Sequence, residues 1–139
     1  MEVAIKKSLT QFVKFCFVGA SGVVVNLVVF NATILLWRLA TGTTPTAAEY
    51  LGNLLGFVVS VLTNYYLNRR WTFRSSGAVK SELPKFFTVS IVAYLVNLGV
   101  FTIARHGLHL DDNVSQLIAI ACVMPINFIL NKLWSFRGA

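Results

Sequence analysis

Acidic residues are scarce in this chain, and where they are missing matters more than how few there are. Of 139 residues only five are Asp or Glu, and Glu2, Glu49, Glu82, Asp111 and Asp112 all lie outside the long uncharged runs. A proton-coupled exporter built from a few helices needs a carboxylate inside the membrane to trade a proton for cargo, so that class is disfavoured. There is no GxxxxGK[ST] loop to cradle a nucleotide. The two cysteines, Cys16 and Cys122, have neither CxxC nor metal-ligand spacing and read as small buried residues. His106 and His109, close to Asp111 and Asp112, occupy a loop with no counterpart elsewhere, which is weak ground for a metal site. No catalytic constellation, metal or cofactor is expected, and the chain does not read as an enzyme.

Hydrophobic residues make up 56% of the sequence and charged ones 12%, with a mean hydropathy of +0.70. These values point to lipid as the solvent. Four uncharged runs, Phe15 to Trp37, Tyr50 to Asn68, Phe86 to Ala104 and Asn113 to Asn131, separate the charges. At about 1.5 Å per residue each is long enough to cross a hydrocarbon core about 30 Å thick. The expected fold is an all-α membrane protein of four transmembrane helices. A basic and then apolar start resembles a signal peptide, but the first run is too long for an h-region.

Of the twelve Lys and Arg, all but Arg38 and Arg105 flank the same ends of these runs. Lys6, Lys7 and Lys14 precede the first; Arg69, Arg70, Arg74, Lys80 and Lys85 lie between the second and third; Lys132 and Arg137 come after the fourth. The positive-inside rule puts both termini and the middle loop in the cytoplasm. A net charge of +7 suits nucleic acid as well, but cations beside helix ends fit anionic membrane lipids or a phosphorylated lipid better.

The chain also repeats itself. Asn64-Tyr65-Tyr66-Leu67-Asn68-Arg69-Arg70-Trp71-Thr72-Phe73-Arg74 returns as Asn127-Phe128-Ile129-Leu130-Asn131-Lys132-Leu133-Trp134-Ser135-Phe136-Arg137. Lys14-Phe15, Gly19, Gly22, Asn26 and Phe30 return as Lys85-Phe86, Ser90, Ala93, Asn97 and Phe101. Two spans per unit predict two parallel repeats, about residues 12–74 and 84–137, related about an axis along the membrane normal. In the second run Asn53, Gly56, Ser60 and Asn64 keep helical spacing and predict a stripe of polar and small residues; Pro125 predicts a kink in the fourth.

Asn26 and Asn97 fall near mid-membrane, where an unsatisfied amide costs roughly 2 kcal/mol or more. They fit helix-to-helix glue and a polar path for hydroxyl-rich cargo equally well. For the doubled motif, anchoring at the interface explains the cations and the paired Trp71 and Trp134. It does not explain two Asn one turn apart before a cation in both halves. Asn64, Asn68 and Arg69, with Asn127, Asn131 and Lys132, are better read as a receptor for phosphate and sugar oxygens. Lys14 and Lys85 would add charge, and Asn53 would join Asn26 and Asn97 along the crossing.

Lys14-Phe15 with Val18-Gly19, Asn26 and Phe30, then the motif from Asn64 to Phe73 and its echo from Asn127 to Phe136, resemble the GtrA-like membrane proteins over nearly the whole chain. The resemblance implies a flippase of the inner membrane. Such a protein moves polyprenyl-phosphate-linked sugars to the outer leaflet for cell-surface polysaccharide synthesis. Related domains are fused to polyprenyl-phosphate glycosyltransferases, so a scaffold that positions such an enzyme without transporting is the alternative. Four helices make a thin wall around a sugar, which suggests a homodimer. Leu133 stands where the first half has Arg70, so the two motif ends are not expected to be equivalent.

Overall fold

A computed structural model describes residues 2–138, apart from the side chain of Asp112. Its four α-helices are, in chain order, α1 (Glu2–Thr41), α2 (Thr46–Leu67), α3 (Val79–Thr102) and α4 (Asp112–Leu130). Turns of π-helix extend the last three, at Asn68–Thr72, Ile103–Gly107 and Asn131–Ser135. The described residues contain no strand. The four helices, taken with their π-turns, are each long and apolar enough to cross a membrane. Because a helix bonds nearly all of its backbone groups internally, this is one of the two architectures lipid permits.

α1 begins well before its apolar run. Lys6, Lys7 and Lys14 are good helix formers, and the Lys6 ammonium meets the Glu2 carboxylate at 2.7 Å one turn earlier. Gly42 ends the helix: at φ +72° it takes a left-handed backbone, and its N–H donates to the Arg38 carbonyl at 2.8 Å. At the start of α4 the Asp111 carboxylate accepts from the Asn113 N–H at 2.9 Å.

The chain divides into two compact units, Val13–Thr72 and Met1–Phe12 with Phe73–Ala139. In the first, α1 and α2 form an antiparallel hairpin held by small residues. The Ser60 hydroxyl donates to the Gly22 carbonyl at 2.8 Å. A Cβ on Gly56 would lie 2.9 Å from the Asn26 carbonyl oxygen, and one on Gly52 would lie 2.9 Å from the Phe30 ring. These backbones approach as closely as glycine allows, which is how helices gain packing energy where lipid tails are as apolar as leucine. The predicted stripe is present with one change. Gly52, Gly56, Ser60 and Asn64 face α1, whereas Asn53 is exposed and donates its amide back to the Glu49 carbonyl at 3.0 Å.

A methyl at Gly56 meets backbone oxygen, which has no rotamer to yield. Gly56→Ala is expected to push the hairpin apart at a cost of about 1–3 kcal/mol. Gly19 has nothing within 4 Å of such a methyl. Gly19→Ala should therefore be neutral or gain up to about 1 kcal/mol from helix propensity. Thermal unfolding in detergent separates the two, and equal shifts would remove the close approach as the cause.

The second unit has an aromatic core. Phe73 stacks on Phe136 with ring centroids 4.8 Å apart and on Phe128 at 5.8 Å. Phe86 lies tilted on Phe136 at 5.8 Å, and Phe12 meets Phe128 edge-on at 5.3 Å. Beside it the Ser75 hydroxyl donates to the carboxylate of Glu82, which is buried, so the loop before α3 is tied to that helix.

Candidate functional site

Both copies of the doubled motif run through a π-turn, and the turn sorts their side chains in the same way. Asn68 and Asn131 are 2% and 0% exposed, Thr72 and Ser135 are 3% and 2%, and Phe73 and Phe136 are 3% and 1%, while Trp71 and Trp134 are each 45% exposed. The wide turn is seen in the bond from the Phe136 N–H to the Asn131 carbonyl, five residues back, at 2.8 Å. One extra residue per turn rotates the chain beyond it, so the Phe turns inward and the Trp outward.

The buried polar atoms are unusual. The Oδ1 atoms of Asn64, Asn68 and Asn131 and the hydroxyls of Thr72 and Ser135 are buried without a hydrogen-bond partner among the described residues. A buried acceptor left unmade costs about 1–3 kcal/mol, and native proteins retain few. Asn68 and Thr72 of the first motif match Asn131 and Ser135 of the second, whereas Asn127, the counterpart of Asn64, has a partner for its Oδ1. Asn131 is otherwise held: its Nδ2 donates to the Asn127 carbonyl at 2.9 Å and to the Asn127 Oδ1 at 2.8 Å. Asn64 lies against Gly22, where a Cβ would come within 2.5 Å of its amide.

The cations are held by aromatic faces and hydroxyls. Lys14 lies 5.2 Å above the Trp71 ring and Arg70 5.7 Å from the Tyr66 ring. Lys132 lies 5.6 Å from the Phe128 ring and donates to the Ser8 hydroxyl at 2.6 Å. Arg69 and Lys85 are half-buried. Of the mid-helix amides, Asn26 packs against Gly56 inside the first hairpin and Asn97 is half-buried on α3.

Three polar residues went unmarked in the sequence. Ser8 lies in the basic leading segment, far along the chain from Lys132. The Gln11 Oε1 and Ser115 Oγ are buried and partnerless, in residues that no motif contains. Thr72 and Ser135 belong to the doubled motif, and their matched hydroxyls were the one available signal.

Four helices long and apolar enough to cross a membrane define a multi-pass membrane protein. Residues 14–136 match the family described as GtrA/DPMS, transmembrane domain, and the chain belongs to that family. It is similar to a bactoprenol-linked glucose translocase of Shigella phage SfII, 24% identical over 131 residues that cover 94% of this chain and 98% of the relative. An uncharacterized membrane protein of Bacillus subtilis is 28% identical over 137 residues, covering 96% and 84%. A dolichol-phosphate mannosyltransferase of Pyrococcus furiosus is 26% identical over 127 residues, 89% of this chain. The chain spans about a third of that relative, 33% of its length.

Proposed function

We propose that the protein is a flippase carrying a polyprenyl-phosphate-linked sugar from the cytoplasmic to the outer leaflet of a bacterial inner membrane, for cell-surface polysaccharide glycosylation. The observation that carries this reading is the matched set of partnerless buried oxygens on Asn68, Thr72, Asn131 and Ser135 beside cations. Each acceptor costs the closed protein free energy that a sugar hydroxyl would return once the π-turns open to it. The end-to-end similarity to a phage protein named as a translocase for such a lipid supports the same reading.

The energetic problem is the sugar. Moving one hydroxyl from water into hydrocarbon costs roughly 2–7 kcal/mol, and a hexose carries several. Asn64, Asn68, Asn127 and Asn131 would bind the headgroup at the cytoplasmic face, with Arg69, Lys132, Lys14 and Lys85 drawing in the phosphate. Asn26, Asn97 and Asn53 would offer bonds during the crossing while the prenyl tail stays in lipid. No acid lies within the apolar runs to couple protons, so the gradient of the lipid itself drives transport. Asn97→Leu, in a variant whose fold is intact, is expected to slow sugar appearance about tenfold, as losing one hydrogen bond near 1.4 kcal/mol in the crossing step would. An unchanged rate takes Asn97 off the path.

A second reading has its own support, since the match to the archaeal mannosyltransferase covers only a third of that longer chain. Under it the protein positions a glycosyltransferase and moves nothing. Reconstitution of the purified protein alone with a labelled polyprenyl-phosphate sugar, probed by an impermeant reagent on the opposite leaflet, decides between them. Rates equal to protein-free vesicles would leave the scaffold.

A further inference from the structure

A groove of roughly 650 Å³ runs between the start of α1 and the end of α4, lined by Ala4, Ile5, Leu9, Phe12, Pro125, Phe128 and Ile129, with Ser8 as its one polar lining residue. We propose that this groove seats the phosphate end of a polyprenyl phosphate, with the first isoprene units along its apolar wall and the phosphate on Lys132 and Ser8. The proposal rests on the flippase reading for the identity of the lipid and adds to it a place where the carrier is held.

Ser8 pairs with Lys132, and one turn further along α1 Phe12 pairs with Phe128, so the two helices run antiparallel and the Lys132 ammonium is held against the one hydroxyl of an otherwise apolar lining. An ammonium has three donors, and Ser8 takes one. Among the described residues no carboxylate pairs with Lys132, and its ammonium lies 5.6 Å from the ring of Phe128, a lining residue. Two donors and a full charge therefore remain for phosphate oxygens. Two helices bound the space, which suits one branched chain better than the paired tails of a phospholipid.

The test uses the full chain in phosphatidylethanolamine vesicles with a polyprenyl phosphate bearing a photoreactive diazirine in its first isoprene unit. Labelling is expected within residues 4–12 and 125–132. Ile129→Trp, at a half-exposed lining position, should lower labelling about tenfold by filling the groove, with helix content and thermal stability unchanged. Lys132→Gln should lower it similarly and Lys132→Arg should preserve it. Labelling elsewhere overturns the proposal, as does competition by excess phosphatidylglycerol equal to that of unlabelled polyprenyl phosphate, which would make the groove a general anionic-lipid site. Labelling here in a protein that transports nothing would sink the flippase reading and leave the groove; transport with labelling elsewhere would do the reverse.

Discussion

Phe136→Ala is expected to destabilise the protein by about 3 kcal/mol, the low end of what deleting a buried ring costs in soluble cores. The ring is 1% exposed and touches Phe73 and Phe86, so the deletion leaves a cavity among side chains that are themselves packed. The figure sits at the low end because lipid replaces part of the transfer term, while the lost dispersion contacts remain. Trp134, two residues earlier in the same motif, is 45% exposed. Trp134→Ala should cost under about 1 kcal/mol, since little packing is lost at a partly exposed site. Unfolding in detergent, monitored by circular dichroism, checks both. Similar losses for the two variants would mean that the π-turn does not sort them as described, and that the motif is an anchor along its whole length.

That contrast shows what the sequence could and could not disclose. The apolar runs marked four helices because lipid demands uninterrupted hydrophobic length. They did not mark the start of α1, because a run of uncharged residues measures the membrane and not the helix, and Lys6, Lys7 and Lys14 continue the same helix outside it. The doubled motif was visible as spacing. Its burial was not, because a π-turn has no compositional signature and a Trp-hydroxyl-Phe series reads equally well as three interfacial residues. Helical spacing pointed to Asn53 as the head of the stripe on α2, although Gly52 lies equally within one turn of Gly56. Only the packing against Phe30 selects the glycine. The groove beside Lys132 was out of reach, since Ser8 and Lys132 lie 124 residues apart and neither neighbourhood refers to the other.

The paired replacement Asn68→Leu with Asn131→Leu should abolish sugar movement while leaving the fold intact. The shapes are similar, and each change removes a buried acceptor that has no partner, whose cost of about 1–3 kcal/mol disappears with it. Against this stands the loss of the bonds from Asn131 to Asn127, a net contribution of about 1 kcal/mol. Stability should therefore stay level or rise. Transport should fall by about a hundredfold or more, as losing two sugar contacts of about 1.4 kcal/mol each from the rate-limiting state requires. These two measurements separate the roles of the amides. If they were only glue between helices, the fold would weaken and any transport lost would track the lost protein. A stabilised variant that no longer moves sugar leaves no structural explanation, because the amides would then be held at a cost to the resting state. A stable variant that transports at the wild-type rate would remove Asn68 and Asn131 from the site, and with them the case for the paired π-turns as receivers of the headgroup.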